Sequence, residues 1–394
     1  MISIFIYVII AELALFLMIL YLKKDFPWLI TPRDLSIKID QEVGRKFFLN
    51  SFHPTLGWMR KENSMFSDET VNGVVTYTIS NDGSRKNHLF NPRNSLITSY
   101  GDSFCFGRLV NDDETWQYYL SKKLHTNVSN KGVGNYGLDQ ALLRFEMEAE
   151  NHSCKYIIIN VVPETIARIH SVWKHYFEYG NTLAFKPVFK VVNDELVLEE
   201  CPIKNFDDLA CSALNPIRIA EKDYFYKQKF LRDIVSFPFV FTIFKRPIRN
   251  IFLLCYRIID KLLVKLNPMH RSLAFNLILY ENKKWTEKLF KNDNSKRLLY
   301  LLIHRFVTGA AKNGQKAILL WTPQEVDLNE KTISLYRQFL IQLKNIPIDI
   351  IDMTDEFLEN KGKVYVAGKL GPHPSSFGNK LIAEKLYYNL KDRL

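Results

Sequence analysis

The sequence predicts an α/β fold, with a doubly wound parallel sheet, an inserted helical and aromatic cap, and one N-terminal transmembrane helix. Three observations support this prediction. Short apolar runs alternate with helix-like segments, a long apolar segment occupies the N-terminus, and residues 170–297 interrupt the alternation. At 394 residues, with 47% hydrophobic and 24% charged residues, the chain can bury a large core. We expect one large domain with an insertion.

Residues 1–22 are the predicted transmembrane anchor. Glu12 is their one acidic or basic side chain, and about twenty apolar residues suffice to span a bilayer. No small-residue cleavage pattern follows, so we expect the segment to be retained rather than removed as a signal peptide. Glu12 is costly at this depth and is expected either to face a partner helix or to be tolerated there.

Basic residues follow the anchor, and none precedes it; they are Lys23, Lys24, Arg33 and Lys38. The positive-inside rule then predicts a cytoplasmic C-terminal body in a single-pass protein. An extracytoplasmic body stays open, because the few cysteines fit either compartment.

Residues 23–90 are predicted to form a linker and a small β-rich lead-in. The apolar run 74–79 is followed by the turn residues Asn81, Asp82 and Gly83, which is typical of a hairpin. Arg85 precedes the next predicted strand. We expect it at the surface, and a salt bridge or a contact with an anionic substrate is the alternative.

The core alternates strand and helix. Buried strands are predicted at 97–100, 127–130, 156–160, 317–321 and 348–351, with helices such as 140–151 and 329–343 between them. In such a sheet the functional site lies at the carboxyl ends of the strands. Ser103, Asn135 and Glu164 each follow such an end.

Ser103 lies in the segment Ser99-Tyr100-Gly101-Asp102-Ser103-Phe104, directly after the first core strand. A serine hydroxyl at a strand end can act as a nucleophile, and neighbouring backbone N–H groups can hold the developing oxyanion. The tripeptide Gly-Asp-Ser is common by itself, and its alternative is a simple turn.

Two further segments follow in order. Residues 130–140 form a glycine-rich turn that exposes backbone N–H groups, and His373 precedes a predicted helix near the C-terminus. Taken together, the three segments resemble the SGNH (GDSL) hydrolase superfamily over about residues 90–165 and 300–394. The resemblance implies that Ser103 is the nucleophile and His373 the general base. It implies an oxyanion hole from the N–H groups of Ser103 and Asn135, with Gly134 as the neighbouring possibility.

Two positions depart from the family pattern. The asparagine of the family's third block is absent, because the strand 156–160 runs into Val161, Val162 and Pro163, and proline has no side-chain donor. The aspartate expected two or three residues before the histidine is also absent, since Leu370 and Gly371 stand there. Another carboxylate could act as the acid or supporting group, or a Ser–His pair could suffice; the candidates are Asp102, Glu164, Asp352 and Asp355.

The insertion at about 170–297 is aromatic and basic. Its apolar stretches at 234–244 and 251–266 are too short and too charged for predicted membrane spans. Two interpretations stay open: an interfacial segment on anionic lipid, and a helical lid packed on its own core.

The net charge of +11 favours a negatively charged neighbour. No nucleic-acid recognition motif accompanies the basic residues, so lipid headgroups or an anionic glycan are the expected partners. No metal or nucleotide motif is present, and no cofactor is predicted. The five cysteines show neither metal spacing nor a disulfide framework; they are Cys105, Cys154, Cys201, Cys211 and Cys255.

The sequence therefore predicts a membrane-anchored serine esterase or O-acyltransferase. The expected substrates are acyl esters, acetyl above all, of a cell-envelope glycan or glycolipid. The alternative is a catalytically degenerate glycan-binding or assembly subunit of a membrane complex.

Overall fold

A computed structural model describes residues 2–37, 39–70, 73–90, 95–148, 154–210, 216–266, 272–368 and 371–393. Lys38, Cys211 and Leu370, named above, lie outside these ranges. The chain divides into two compact units. The helical unit comprises Met1–Leu49, His170–Lys186 and Pro202–Asn282, and the sheet unit comprises Asn50–Ile169, Pro187–Cys201 and Lys283–Leu394. The domain boundaries predicted at 22, 90, 170 and 297 stay predictions.

The strands, in chain order, are β1 (Phe52–His53), β2 (Gly57–Trp58), β3 (Ser64–Thr70), β4 (Gly73–Ile79), β5 (Ser95–Gly101), β6 (Asn127–Asn130), β7 (Tyr156–Val161), β8 (Val188–Val192), β9 (Glu195–Glu199), β10 (Lys316–Trp321), β11 (Asp349–Asp352), β12 (Tyr365–Val366) and β13 (His373–Pro374).

The α-helices are α1 (Ile2–Lys23), α2 (Gln41–Asn50), α3 (Ser103–Phe106), α4 (Trp116–Leu124), α5 (Leu138–Glu148), α6 (Thr165–Arg168), α7 (Phe206–Ala210), α8 (Pro216–Lys222), α9 (Leu231–Asp233), α10 (Phe239–Lys245), α11 (Pro247–Leu266), α12 (Leu273–Phe290), α13 (Asp293–Lys312), α14 (Glu330–Gln342), α15 (Thr354–Glu359) and α16 (Ser376–Leu390).

A five-stranded parallel sheet forms the centre of the sheet unit, in the order β11-β10-β7-β5-β6. All five strands were predicted from the sequence, and the α/β fold class is confirmed. The chain places β6 on one side of β5 and β7 on the other. Loops that leave the strand ends therefore diverge at β5, where doubly wound sheets form their sites.

Helices cover both faces of this sheet. Because strand side chains alternate between faces, Ile97 and Tyr100 point to opposite sides. Ile97 belongs to a core cluster with Trp116 of α4 and Leu386 of α16. On the other face, the ring of Tyr100 lies 5.9 Å from that of Phe145 of α5. This sandwich of helix, sheet and helix buries the central strands on both sides, which explains the apolar runs 156–159 of β7 and 317–321 of β10.

A close approach of two strands requires glycine at position 101, the last residue of β5. Gly101 pairs with Asn160 of β7 in the parallel register. A Cβ atom on Gly101 would lie 2.1 Å from the Asn160 carbonyl oxygen and 2.8 Å from Cys105 Cβ. The absence of a side chain here lets the chain turn tightly from β5 into α3, and Ser103 begins that helix.

The lead-in before β5 contains a regular hairpin. Strands β3 and β4 pair antiparallel from Ser64↔Ile79 to Thr70↔Gly73. Tyr77 and Ile79 of β4 are buried in a small cluster with Phe106 of α3. The hairpin is therefore packed against the segment that follows Ser103.

The helical unit begins with α1, which is long and apolar enough to cross a membrane. The same composition also fits a signal sequence, so the retained anchor stays a prediction. Glu12 has partners inside this unit: its carboxylate accepts hydrogen bonds from the backbone N–H groups of Phe239 (2.6 Å) and Val240 (2.9 Å). The carboxylate thus meets the first turn of α10, which agrees with the expectation of a facing helix.

Candidate functional site

Ser103 lies at the start of α3, immediately after β5. The Asp102 carboxylate caps this helix by accepting the Phe104 N–H at 2.8 Å. Capping fixes the backbone on the N-terminal side of the helix and therefore the direction of the Ser103 side chain. Ser103 is buried, with 5% of its surface exposed.

His373 is held by a two-residue strand and the start of α16. Strand β13 pairs with β12, with Val366 opposite His373. The Ser375 hydroxyl caps α16 by accepting the Gly378 N–H at 3.1 Å. Asn379 donates to the Pro374 carbonyl at 3.2 Å and accepts from the Trp116 N–H at 3.2 Å. Strand pairing at His373 and the capped start of α16 therefore hold the backbone at the histidine.

The structure brings Ser103 and His373 together. His373 Nε2 lies 2.8 Å from Ser103 Oγ, although 270 residues separate them. On the other side of the ring, Nδ1 lies 3.2 Å from the carbonyl oxygen of Gly371. A carbonyl can only accept, so Nδ1 carries the hydrogen and Nε2 has the lone pair. In this tautomer the serine hydroxyl donates to the histidine.

The electrostatic environment keeps His373 neutral. Burial, together with the positive charge of Arg108, lowers the pKa of His373 to about 3. An unprotonated Nε2 is thus present over the whole physiological pH range. A neutral imidazole is the form that can take a proton from a hydroxyl group.

The predicted glycine-rich turn lies beside the same strand end. The N–H groups of Lys131 and Val133 donate to the carbonyls of Ser99 (2.8 Å) and Gly101 (2.9 Å). A Cβ atom on Gly132 would lie 2.4 Å from the Phe106 backbone nitrogen, so the turn passes directly against α3. The turn reaches Asn135, which adopts a left-handed conformation with φ +68°.

Gly134, the neighbouring oxyanion candidate, lies in this turn as well. Its carbonyl accepts a hydrogen bond from the Trp58 indole at 3.0 Å. A Cβ atom on Gly134 would meet nothing within 4 Å. The oxyanion roles of Ser103, Asn135 and Gly134 stay predictions.

Asp102 and Glu164 share one partner, Arg168. The guanidinium donates to Asp102 Oδ2 at 3.1 Å and to Glu164 Oε2 at 2.7 Å. It also donates to the Tyr136 carbonyl at 3.2 Å. Arg168 therefore connects the turn at Ser103 with the glycine-rich turn. Burial raises the pKa of Asp102, while Arg168 and backbone N–H groups oppose this effect.

Arg168 was not predicted from the sequence as a site residue. Its available signal was the spacing of Glu164 and Arg168, four residues apart on a short helix after β7, which allows an ion pair.

Asp352 and Asp355 contact Arg337 instead of the histidine. Arg337 donates to Asp352 Oδ2 at 3.1 Å and to Asp355 Oδ1 at 2.7 Å. Asp352 also accepts the Thr354 N–H at 3.0 Å. Among the hydrogen bonds of the described residues, His373 Nδ1 uses the Gly371 carbonyl, and none of the four candidate carboxylates is its partner.

The end of β7 lacks the expected asparagine. Asn160, the nearest asparagine on this strand, donates to the Leu320 carbonyl (3.1 Å) and to Thr322 Oγ1 (2.7 Å). Its amide therefore links β7 to β10 and does not serve Ser103. Pro163 follows two residues after the strand and supplies no donor.

Arg85 is a correction to the sequence-based expectation of a surface residue. It is 3% exposed and forms an ion pair with Asp112 at 2.8 Å. It also donates to the carbonyls of Phe106 (2.8 Å) and Val110 (2.6 Å). The salt-bridge alternative therefore holds, and the buried guanidinium also binds carbonyl groups of the loop after α3. A residue two positions past a turn does not reveal this role by its spacing.

A cleft of about 500 Å³ opens at His373. Arg108 and Asp68 form an ion pair at 3.0 Å on its wall, and the Tyr77 hydroxyl donates to Asp68 at 3.1 Å. Hydrogen bonds and the charge of Arg108 lower the pKa of Asp68, although burial alone would raise it. Neither residue was predicted. Asp68 belongs to the β3–β4 hairpin, and the sequence does not reveal that this hairpin lies beside His373. The cleft is lined by Ser67, Asp68, Glu69, Arg108, Leu109, Gly371 and His373.

Cys105, two residues after Ser103, is buried. Burial raises the pKa of the Cys105 thiol far above its usual range, so it stays protonated. In the described parts of the chain, no group of three or more His, Cys, Asp or Glu residues is arranged to hold a metal ion.

No protein-family model matches the chain, and no curated protein is similar to it. Among solved structures, it is similar to a protein assigned to the lipolytic G-D-S-L family from Desulfitobacterium hafniense DCB-2 (12% identity, TM-score 0.35, 74% of this chain and 97% of the other). A lipolytic G-D-S-L protein from Veillonella parvula DSM 2008 gives 12% identity and TM-score 0.35, over 76% and 98% of the two chains. A two-domain esterase active on acetylated mannans gives 10% identity and TM-score 0.31, over 76% of this chain and 49% of the esterase.

Proposed function

We propose that this protein is a membrane-anchored serine esterase or O-acyltransferase of the SGNH (GDSL) type. The observation that carries the proposal is the 2.8 Å contact between Ser103 Oγ and His373 Nε2, with Nδ1 held by the Gly371 carbonyl. A buried serine that donates to a neutral, oriented imidazole has the arrangement of an activated nucleophile.

The first half of the reaction forms an acyl-enzyme. Ser103 Oγ attacks the acyl carbon while its proton passes to His373 Nε2. The carbonyl oxygen becomes an oxyanion, for which we assign the backbone N–H groups of Ser103 and Asn135, with Gly134 adjacent. The C–O bond to the alcohol then breaks, and the leaving alkoxide takes the proton back from Nε2.

The second half regenerates the serine. A hydroxyl group of water or of a sugar gives its proton to His373 Nε2 and attacks the acyl carbon. Collapse of the second oxyanion releases the acid or the new ester, and the proton returns to Ser103 Oγ. Water as acceptor makes the protein an esterase, and a sugar hydroxyl makes it an O-acyltransferase.

We propose acyl esters, acetyl in particular, of a cell-envelope glycan or glycolipid as substrate. The polar cleft wall supports this, because Asp68, Glu69 and Arg108 can exchange hydrogen bonds with sugar hydroxyls. The apolar α1 and the net charge of +11 favour work at a membrane surface with anionic material rather than with nucleic acid. The positive-inside rule favours a cytoplasmic body, whereas an envelope substrate would favour a body on the extracytoplasmic side of the membrane.

Hydrolysis of p-nitrophenyl acetate by the purified full-length protein tests the proposed chemistry. We expect activity in the wild type and its loss in Ser103→Ala and His373→Ala. Ser67→Ala is the matched control, because Ser67 lines the same cleft and its hydroxyl is hydrogen-bonded to Thr76 Oγ1 at 3.3 Å. Addition of a soluble glycan acceptor then separates hydrolysis from transfer by the product formed. Activity that persists in Ser103→Ala would overturn the proposal.

The second candidate function is a catalytically degenerate glycan-binding or assembly subunit. Two observations favour it: Pro163 stands where the family has an asparagine donor, and among the described residues no carboxylate contacts His373 Nδ1. Such a protein would bind acetylated glycan with equal affinity in the wild type and in Ser103→Ala, and neither would turn over ester.

A further inference from the structure

Helix α11 of the helical unit exposes an apolar stripe along its whole length. The members recur at intervals of three or four residues, the spacing of one helix face. All are exposed, and apart from Cys255 the exposed fraction ranges from 38% for Ile251 to 83% for Leu266. The stripe comprises Ile248, Ile251, Phe252, Cys255, Ile258, Ile259, Leu262 and Leu266.

Three polar residues of α11 lie on its buried side, together with Leu253 and Leu254. Arg249 is 4% exposed and pairs with Asp233 at 3.3 Å. Asn250 donates to the Thr242 carbonyl at 3.1 Å. Asp260 is fully buried and accepts the Leu273 N–H at 2.8 Å. A helix that covers a water-soluble core has the opposite arrangement, so the outward face of α11 is built for an apolar surrounding.

The hairpin of α10 and α11 is continuous with the apolar helix α1. Glu12 of α1 accepts the N–H groups of Phe239 and Val240, and the rings of Phe16 and Phe239 lie 5.9 Å apart. The start of α10 therefore lies beside the middle of α1. These hydrogen bonds also provide donors for the carboxylate of Glu12, the one carboxylate of α1. Around it, Phe237, Phe241 and Phe244 are each at least 65% exposed.

Basic side chains mark the level at which α1 ends. Arg257 and Lys261 of α11 contact Asp25, at 2.9 Å and 3.0 Å, just beyond the last residue of α1. Lys261 also lies 4.2 Å from the ring centroid of Tyr21. Aromatic and basic residues at this level are typical of the boundary between acyl chains and headgroups.

We propose that α10 and α11 are embedded in the lipid bilayer beside α1, with the apolar stripe of α11 against the acyl chains and Arg257 and Lys261 among anionic headgroups. The occupant of this surface is lipid. The grounds are the continuity with a helix of membrane-spanning composition and the basic residues at its end. This inference does not depend on the proposed catalytic chemistry.

Depth-dependent fluorescence quenching in proteoliposomes tests the proposal. The full-length protein carries Cys211→Ser and Cys255→Ser, and a bimane label is attached at Ile258→Cys. Leu262→Cys, one turn later on the stripe, repeats the measurement if the first variant folds poorly. Glu221→Cys is the control, an exposed acidic position of the same unit. The vesicles contain phosphatidylcholine and phosphatidylglycerol, with or without brominated acyl chains.

We expect brominated acyl chains to remove most of the emission at position 258 and to leave position 221 unchanged. Aqueous iodide should quench the label at 221 several-fold more than at 258. Equal iodide quenching at both positions would overturn the proposal in favour of a water-facing lid. Protection of position 258 from both quenchers would also overturn it, because a second copy of the chain would then cover the stripe.

Discussion

His373 directs Nδ1 at the carbonyl oxygen of Gly371, two residues earlier in the chain and 3.2 Å away. In a Ser-His-Asp triad a carboxylate occupies this position, where it sets the tautomer and stabilises the imidazolium formed during catalysis. The carbonyl sets the same tautomer, but it carries no net charge. We therefore expect an oriented base whose protonated form is weakly stabilised, and a slower reaction than that of a full triad.

The low pKa of His373 predicts an unusual pH profile. The base form exists above the pKa, and burial has lowered that pKa from 6.5 to about 3. Acylation of Ser103 should therefore stay constant from neutral pH down to about pH 4 and fall only below it. Short pulses of a fluorophosphonate probe at each pH measure this, with tryptophan fluorescence to verify folding. A labelling rate that falls to half its maximum near pH 6.5 in the folded protein would contradict the electrostatic argument.

Substitution of Arg108 should move this profile. The positive charge of Arg108 disfavours the imidazolium, so its loss in Arg108→Gln raises the pKa of His373. We expect the acid limb to shift to higher pH by roughly one unit or less. Arg108→Lys keeps the charge and should keep the wild-type limb. If labelling of the Gln and Lys variants were half-maximal at the same pH, Arg108 would have no electrostatic role at the histidine.

Two glycines of the same turn should differ in their tolerance of a methyl group. In Gly132→Ala the new Cβ would lie 2.4 Å from the Phe106 nitrogen, so the turn must move away from α3. We expect labelling of Ser103 to slow by about tenfold or more, because oxyanion donors must be placed within tenths of an ångström. Gly134→Ala meets nothing within 4 Å and should stay within a few-fold of wild type. Labelling rates check both variants, and a normal rate in Gly132→Ala would contradict the prediction.

Removal of Arg168 should destabilise the sheet unit. The side chains of Arg168 and Asp102 are 5% and 2% exposed, so Arg168→Met leaves a buried carboxylate without its charge partner. Such a loss costs about 3–5 kcal/mol of the free energy of unfolding. The surface pair of Arg305 and Glu146 provides the control, because Arg305→Met should cost about 0–1 kcal/mol. Urea unfolding in detergent solution measures both.

The double variant Asp102→Asn with Arg168→Met separates charge from packing. Neutralising Asp102 should recover part of the lost stability, since the two residues are directly coupled. Additive losses in the double variant would mean that Arg168 and Asp102 are not coupled, so that Arg168 acts through Glu164, Tyr136 or packing.

The sheet could be predicted because its strands are buried on both faces. Continuous apolar runs between turn residues locate such strands within about two residues, as at 317–321 for Lys316–Trp321. Ser103 and His373 could be selected because their segments occur in a recognisable order. Their contact across 270 residues is a property of the fold that local sequence does not contain.

The partners of the charged residues could not be predicted. Asp102 and Arg168 lie 66 residues apart, and their pairing depends on how β5 and β7 are registered. Arg85 was expected at the surface for the same reason: its acceptors are carbonyls of a loop whose path the sequence does not reveal. Ion pairs of this kind follow from tertiary geometry rather than from periodicity.

Labelling of the purified wild-type protein with a fluorophosphonate, followed by peptide mapping, tests the central claim most directly. A phosphonate adduct on Ser103, absent from Ser103→Ala and strongly reduced in His373→Ala, is the predicted result. An adduct on another serine, or a folded wild-type protein that remains unlabelled, would contradict the assignment of Ser103 as an activated nucleophile.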